Sequence, residues 1–106
     1  MLKIFKNGHI LCPFCEGGSI QSYQFFDDNA VIYVCEECEE TWLSLNDAFD
    51  LRSSTDFMSY LKKRGLIKDG VKTDWASIGK NLDYITFEDV EEIVKEKGVE
   101  VVLLEK

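Results

Sequence analysis

The residues best equipped for chemistry are four cysteines, set as Cys12-Pro13-Phe14-Cys15 and Cys35-Glu36-Glu37-Cys38. Two residues between thiolates let one tight turn aim both sulfurs at a single cation, and two such turns complete a tetrahedron of soft donors. Nineteen residues separate the pairs, within the range of recognised Cys-x-x-Cys metal signatures. The spacing predicts one metal ion held by Cys12, Cys15, Cys35 and Cys38, with no coordination position left open for catalysis.

Zinc in a structural role is the expected ion. Iron in a rubredoxin-like site shares the four-cysteine geometry. The second pair, however, lacks the proline and following glycine usual there, and half of the chain would go unused. A thioredoxin-type dithiol needs one Cys-x-x-Cys opening a helix after a strand, not two matched pairs. Two disulfides would need an oxidising compartment. His9, the only histidine, stands three residues before Cys12 and reads as solvent-facing rather than as a ligand. No nucleophile motif accompanies it, so the chain is expected to be non-enzymatic.

The elements that must position the sulfurs read as strands. Ser19 to Phe26 and Ala30 to Val34 are rich in aromatic and β-branched residues. Asp27-Asp28-Asn29 between them is turn chemistry, so a β-hairpin carries the second pair back to the first. Gly17-Gly18 loosens the exit from the first turn. Thr41 to Leu45 reads as a third strand, with Trp42 a core aromatic that covers the apolar side of the site.

On these residues the stretch from His9 to Leu45 resembles the zinc-ribbon family, with Cys12-Pro-x-Cys15 as its first knuckle and Cys35-x-x-Cys38 as its second. The resemblance covers about a third of the chain and implies a three-stranded ribbon and a zinc ion. It implies no particular function, because ribbons serve in transcription, translation and scaffolding alike. Glu16, Glu36, Glu37, Glu39 and Glu40 crowd the knuckles where nucleic-acid-binding ribbons tend to carry Lys or Arg.

Charge narrows the partners. Twenty acids against twelve Lys and Arg give a formal net charge of −8 over 106 residues. Such a field repels phosphate backbones and anionic membrane surfaces, and attracts a basic protein. Glu36, Glu37, Glu39 and Glu40 are the candidate partner-binding residues. With no apolar run long enough to span a bilayer and no signal-peptide pattern, the expected location is cytoplasmic, where thiols stay reduced. In size and acidity the chain resembles small bacterial immunity proteins. An inhibitor that neutralises a basic partner, such as a nuclease toxin, is therefore the leading expectation. The alternatives are a zinc-ribbon accessory protein of transcription or nucleic-acid binding, and a rubredoxin-like iron electron carrier.

Beyond Leu45 the pattern turns helical. Residues 1–45 carry two bases and seven acids, and residues 46–106 carry ten and thirteen. The expected class is α+β: a ribbon module over 1–45, and an α/β half over 46–106 packed against it as one compact domain. Asn46 to Asp50 starts a short helical turn that Ser53-Ser54 ends. Ser54 or Thr55 caps a helix over Asp56 to Arg64, stopped by Gly65. Lys62-Lys63-Arg64, the only basic run, suits the negative end of that helix. Thr73-Asp74 opens a short helix that ends near Gly79. Thr86 caps a helix from 87 to 97, with acids first, lysines last and Gly98 after it. Val99 to Leu104 reads as a strand, buried on both faces or covered at a sheet edge.

Overall fold

The structure, a computed structural model, describes residues 1–105. In chain order its elements are β1 (Leu2–Ile4), β2 (Ile20–Phe25), β3 (Val31–Cys35), β4 (Glu40–Trp42), β5 (Thr55–Asp56), α1 (Phe57–Lys63), α2 (Trp75–Ile78), β6 (Gly79–Tyr84), α3 (Phe87–Lys97) and β7 (Val101–Leu103). This is a mixed α+β architecture. An antiparallel sheet of order β5-β4-β3-β2-β6 forms its body, and β1 and β7 make a separate parallel pair.

The β2–β3 hairpin forms where turn chemistry places it. Asp28 Oδ1 accepts the Ala30 N–H at 2.9 Å, and Asn29 takes the left-handed conformation at φ 60°, which asparagine tolerates better than most residues. The register sets Ile20 opposite Cys35 and Tyr23 opposite Ile32.

The sheet separates two apolar clusters. Tyr23, Phe25, Ile32 and Val34 face Phe57 and Leu61 of α1, with Ile67 and Ile78. Ile20, Cys12, Cys35 and Trp42 belong to the other cluster, with Leu2 and Ile4 of β1, Phe49, Ile85, and Val90 and Val94 of α3. Because β5 and β6 flank β4 and β2, the sheet joins residues from both sides of position 45.

Several sequence expectations change. The three expected strands are present as β2, β3 and β4, but two more extend them into a five-stranded sheet. The third strand stops at Trp42, because the Ser44 hydroxyl accepts the Asn46 N–H and starts a 3-10 turn at Leu45–Asp47. A second such turn spans Leu51–Ser53. Between them Ala48 and Phe49 take left-handed φ values of 48° and 58°. Asp56, not Ser54 or Thr55, caps α1: its carboxylate accepts the Ser59 N–H at 3.0 Å, while Thr55 pairs with Thr41 in the sheet.

Strands β1 and β6 were not expected. β6 is largely exposed and polar, and lacks the alternation that marks a half-buried strand. α3 matches its expected span, with the Asp89 carboxylate accepting from the Thr86 N–H and hydroxyl, and Gly98 closing at φ 66°. β7 is shorter than the expected Val99 to Leu104 and lies at an edge, as one alternative had it: Val101 and Val102 are half-buried, with Val101 packed on the core, and Leu103 is 77% exposed.

Candidate metal centre

Both cysteine pairs sit on the same local turn. The Glu16 N–H bonds the Cys12 carbonyl at 3.0 Å, and the Glu39 N–H bonds the Cys35 carbonyl at 3.2 Å. The residue after each second cysteine is left-handed, Glu16 at φ 52° and Glu39 at φ 63°. Two copies of one backbone turn thus face each other. The Cys12 N–H on the Gly18 carbonyl closes the first turn at 2.8 Å, and the Glu36 N–H on the Ser19 carbonyl ties the second turn to it at 3.0 Å.

This brings all four predicted ligands into one group. Every pair of sulfurs lies within 4.8 Å, with Cys12 to Cys38 at 3.7 Å and Cys15 to Cys35 at 3.6 Å. A tetrahedron of sulfurs about 2.3 Å from a central zinc has edges of about 3.8 Å. The spacing therefore fits a bound cation, and all four cysteines are free of disulfides. Cys12 and Cys35 are buried, Cys38 is half-buried and Cys15 is exposed. The Cys35 sulfur also accepts the N–H groups of Glu37 and Cys38, at 3.4 and 3.5 Å.

The electrostatics favours protonated sulfurs at two of the four positions when no cation is bound. Burial raises the Cys12 thiol, and pushes Cys38 up to about 11. At Cys15 burial also acts upward, but the Gly17 and Gly18 N–H groups and the Cys35 and Cys38 sulfurs outweigh it, leaving the thiol at about 7. Four thiolates in this space require a cation to hold them together, and a purely thiolate set suits a soft or borderline one.

Gly18 has a stricter role than a loose exit from the turn. A β-carbon there would lie 2.9 Å from the Cys35 sulfur and 3.0 Å from the Glu37 side chain. The chain passes the site closely, and only glycine leaves the room. The doublet Gly17-Gly18 was visible in sequence; what lay opposite it was not.

His9 stands outside the sulfur group. Its ring stacks on Tyr84 at 4.5 Å, and its Nδ1 meets the Asn7 amide at 3.3 Å. Trp42 is fully buried in the cluster that holds Cys12 and Cys35, and its indole N–H donates to the Asp50 carbonyl at 2.9 Å.

The acidic residues of the knuckles divide into two sets. Glu36 accepts the Tyr84 hydroxyl, Glu40 accepts the Ser54 hydroxyl at 2.7 Å, and Glu16 pairs with Lys3 at 2.8 Å. Glu37 and Glu39 are exposed, and among the described residues their carboxylates meet no cation. The role of Arg64 in the basic run also needs correction. Its guanidinium lies 4.0 Å over the Phe25 ring and bonds both Asp27 and Asp28, so it ties α1 to the hairpin turn. No protein family matches the chain, and neither do curated proteins or solved structures.

Proposed function

We propose that Cys12, Cys15, Cys35 and Cys38 hold one structural zinc ion in a zinc-ribbon arrangement. On this reading the protein is a non-enzymatic binding module whose acidic surface docks on a basic protein partner. The specific form we favour is an inhibitor of the immunity type, which neutralises a basic toxin such as a nuclease by occupying its surface. The observation that carries this reading is the closed set of four sulfurs at tetrahedral separations, joined to a net charge of −8. When bound, zinc would supply only a rigid cross-link, because a tetrathiolate shell leaves no position for substrate or water. Free acids at Glu37 and Glu39 would speed the encounter with a basic surface and lose that effect as salt rises.

Two measurements test the proposal. Elemental analysis of the purified protein is expected to give one zinc per chain and no visible absorption; a coloured protein with stoichiometric iron would instead point to electron transfer. Affinity capture, followed by titration of the purified components, is expected to identify a basic protein whose binding weakens with salt. Gel shifts showing tight RNA or DNA binding at low salt, with no protein partner, would replace it with the nucleic-acid reading.

A further inference from the structure

Between α1, α2 and the β2–β6 edge the fold leaves a cavity of about 450 Å³, lined chiefly by Tyr23, Val34, Phe57, Trp75, Ala76 and Asn81. That volume lies in the usual range for small-molecule sites. Tyr23, Val34 and Phe57 belong to one apolar cluster and Cys12 and Cys35 to the other, so the cavity and the sulfurs lie on opposite sides of the sheet. Three of the lining side chains are aromatic. Tyr23 and Phe57 are buried and meet edge to face at 5.3 Å, whereas the Trp75 ring is 47% exposed.

One polar group in this cavity has no use within the fold. Tyr23 is only 8% exposed, yet its hydroxyl bonds none of the described residues, and burial alone acts on the phenol. A buried tyrosine hydroxyl ordinarily finds a partner. This one is not sealed in either, since Arg64 Nε is the only enclosed side-chain nitrogen or oxygen left unpaired among the described residues. The ring carbon that carries the hydroxyl lies 2.9 Å from where a Gly79 β-carbon would stand, so the hydroxyl opens at the β6 end of the cavity. Asn81 is opposite Tyr23 in the register, and cross-strand partners share a face. Its amide adds a donor and an acceptor at that same end.

These groups select the occupant. A hydrocarbon would leave the hydroxyl and the amide unpaired. A charged ligand finds no counter-ion: no carboxylate lines the cavity, and Lys80, which borders it, is in register with Gln24 and so belongs to the opposite face. The net charge of −8 disfavours a phosphate as well. A flat, neutral ring with hydrogen-bonding edge atoms satisfies every wall. Asparagine matches a donor and an acceptor to a nucleobase edge, and aromatic faces stack on any base. We propose that the cavity binds a neutral heteroaromatic ring of the nucleobase class, its face against Trp75 and its edge on the Tyr23 hydroxyl and the Asn81 amide. This site goes beyond the basic-partner function and does not depend on it.

The test titrates adenosine, guanosine, cytidine and uridine into the zinc-loaded, isotopically labelled protein, beside ribose and the nucleoside 5′-monophosphates. At least one nucleoside is expected to give saturable shifts at the Trp75 indole N–H and at the amides of Ala76, Gly79 and Asn81. Ribose is expected to give none, and the matching monophosphate to bind more weakly at low salt. Tyr23→Phe keeps the ring, and is expected to weaken binding about five- to tenfold. Its urea midpoint should not fall, because the hydroxyl bonds nothing in the protein. Asn81→Ala, at an exposed position of the edge strand, is expected to cause a similar loss and serves as the second variant. Saturable shifts with none of the nucleosides, shifts centred elsewhere, equal binding of ribose, or undiminished binding by both variants would overturn the proposal. Each of those outcomes leaves the basic-partner reading standing, since no knuckle residue takes part.

Discussion

At the scale of single residues, Cys35 bears more than its share of the candidate metal site. Its sulfur is buried, accepts two backbone N–H groups, and leaves room for nothing larger than Gly18 opposite. Cys35→Ser is expected to abolish stoichiometric metal and unfold the chain. Structural zinc contributes on the order of 10 kcal/mol in isolated finger peptides, against a total stability of about 5–15 kcal/mol for ordinary proteins. Elemental content and far-ultraviolet circular dichroism of the variant check this; a folded, metal-free Cys35→Ser protein would refute it.

The same residues set a pH dependence. Burial holds the Cys12 thiol high and Cys38 at about 11, so both carry protons near neutral pH when no metal is bound. Binding must expel those two protons. Affinity is therefore expected to rise with pH by at least about a hundredfold per unit, more steeply below pH 7 where Cys15 also carries a proton, and to collapse on acidification as the thiolates are reprotonated. Chelator competition between pH 6 and pH 8 measures the slope.

At the scale of elements, one attachment ties the covering helix to the sheet and another ties β6 to β2 within it. Arg64 joins the end of α1 to the β2–β3 turn through Phe25, Asp27 and Asp28, with its side chain 18% exposed. A lysine keeps the charge but loses the planar fork that stacks and bonds at once. Arg64→Lys is expected to cost about 1–2 kcal/mol in urea unfolding. Where β6 meets β2, a β-carbon at Gly79 would collide with the Gln24 carbonyl and lie 2.7 Å from the Tyr23 ring. Gly79→Ala is expected to destabilise by about 1–3 kcal/mol through overpacking, read from the same denaturant curves.

At the scale of the whole molecule, the cluster holding Cys12 and Cys35 also holds Leu2 and Ile4 of β1 and Val90 and Val94 of α3. The candidate metal site and α3 thus share one core. Stripping the metal with a strong chelator is expected to give one transition, with Trp42 fluorescence, far-ultraviolet dichroism and α3 amide protection lost together. Loss of the knuckles alone, with α3 still protected, would show two independent parts. Among the described residues no helix is long and apolar enough to cross a membrane.

What the amino-acid order determined by itself was local. The two Cys-x-x-Cys turns, the Asp27-Asp28-Asn29 hairpin and the span of α3 from Phe87 to Lys97 each depend on contacts a few residues apart, so residue types and spacing carry them. Tertiary structure alone decided the pairing of β1 with β7, the addition of β6 beside β2, the use of Arg64 as a clasp, and which knuckle acids stay free. Those outcomes join residues far apart in sequence. β6 in particular has no alternating pattern, because its place is held by backbone bonds to β2 and by the close approach at Gly79 rather than by a buried face of its own.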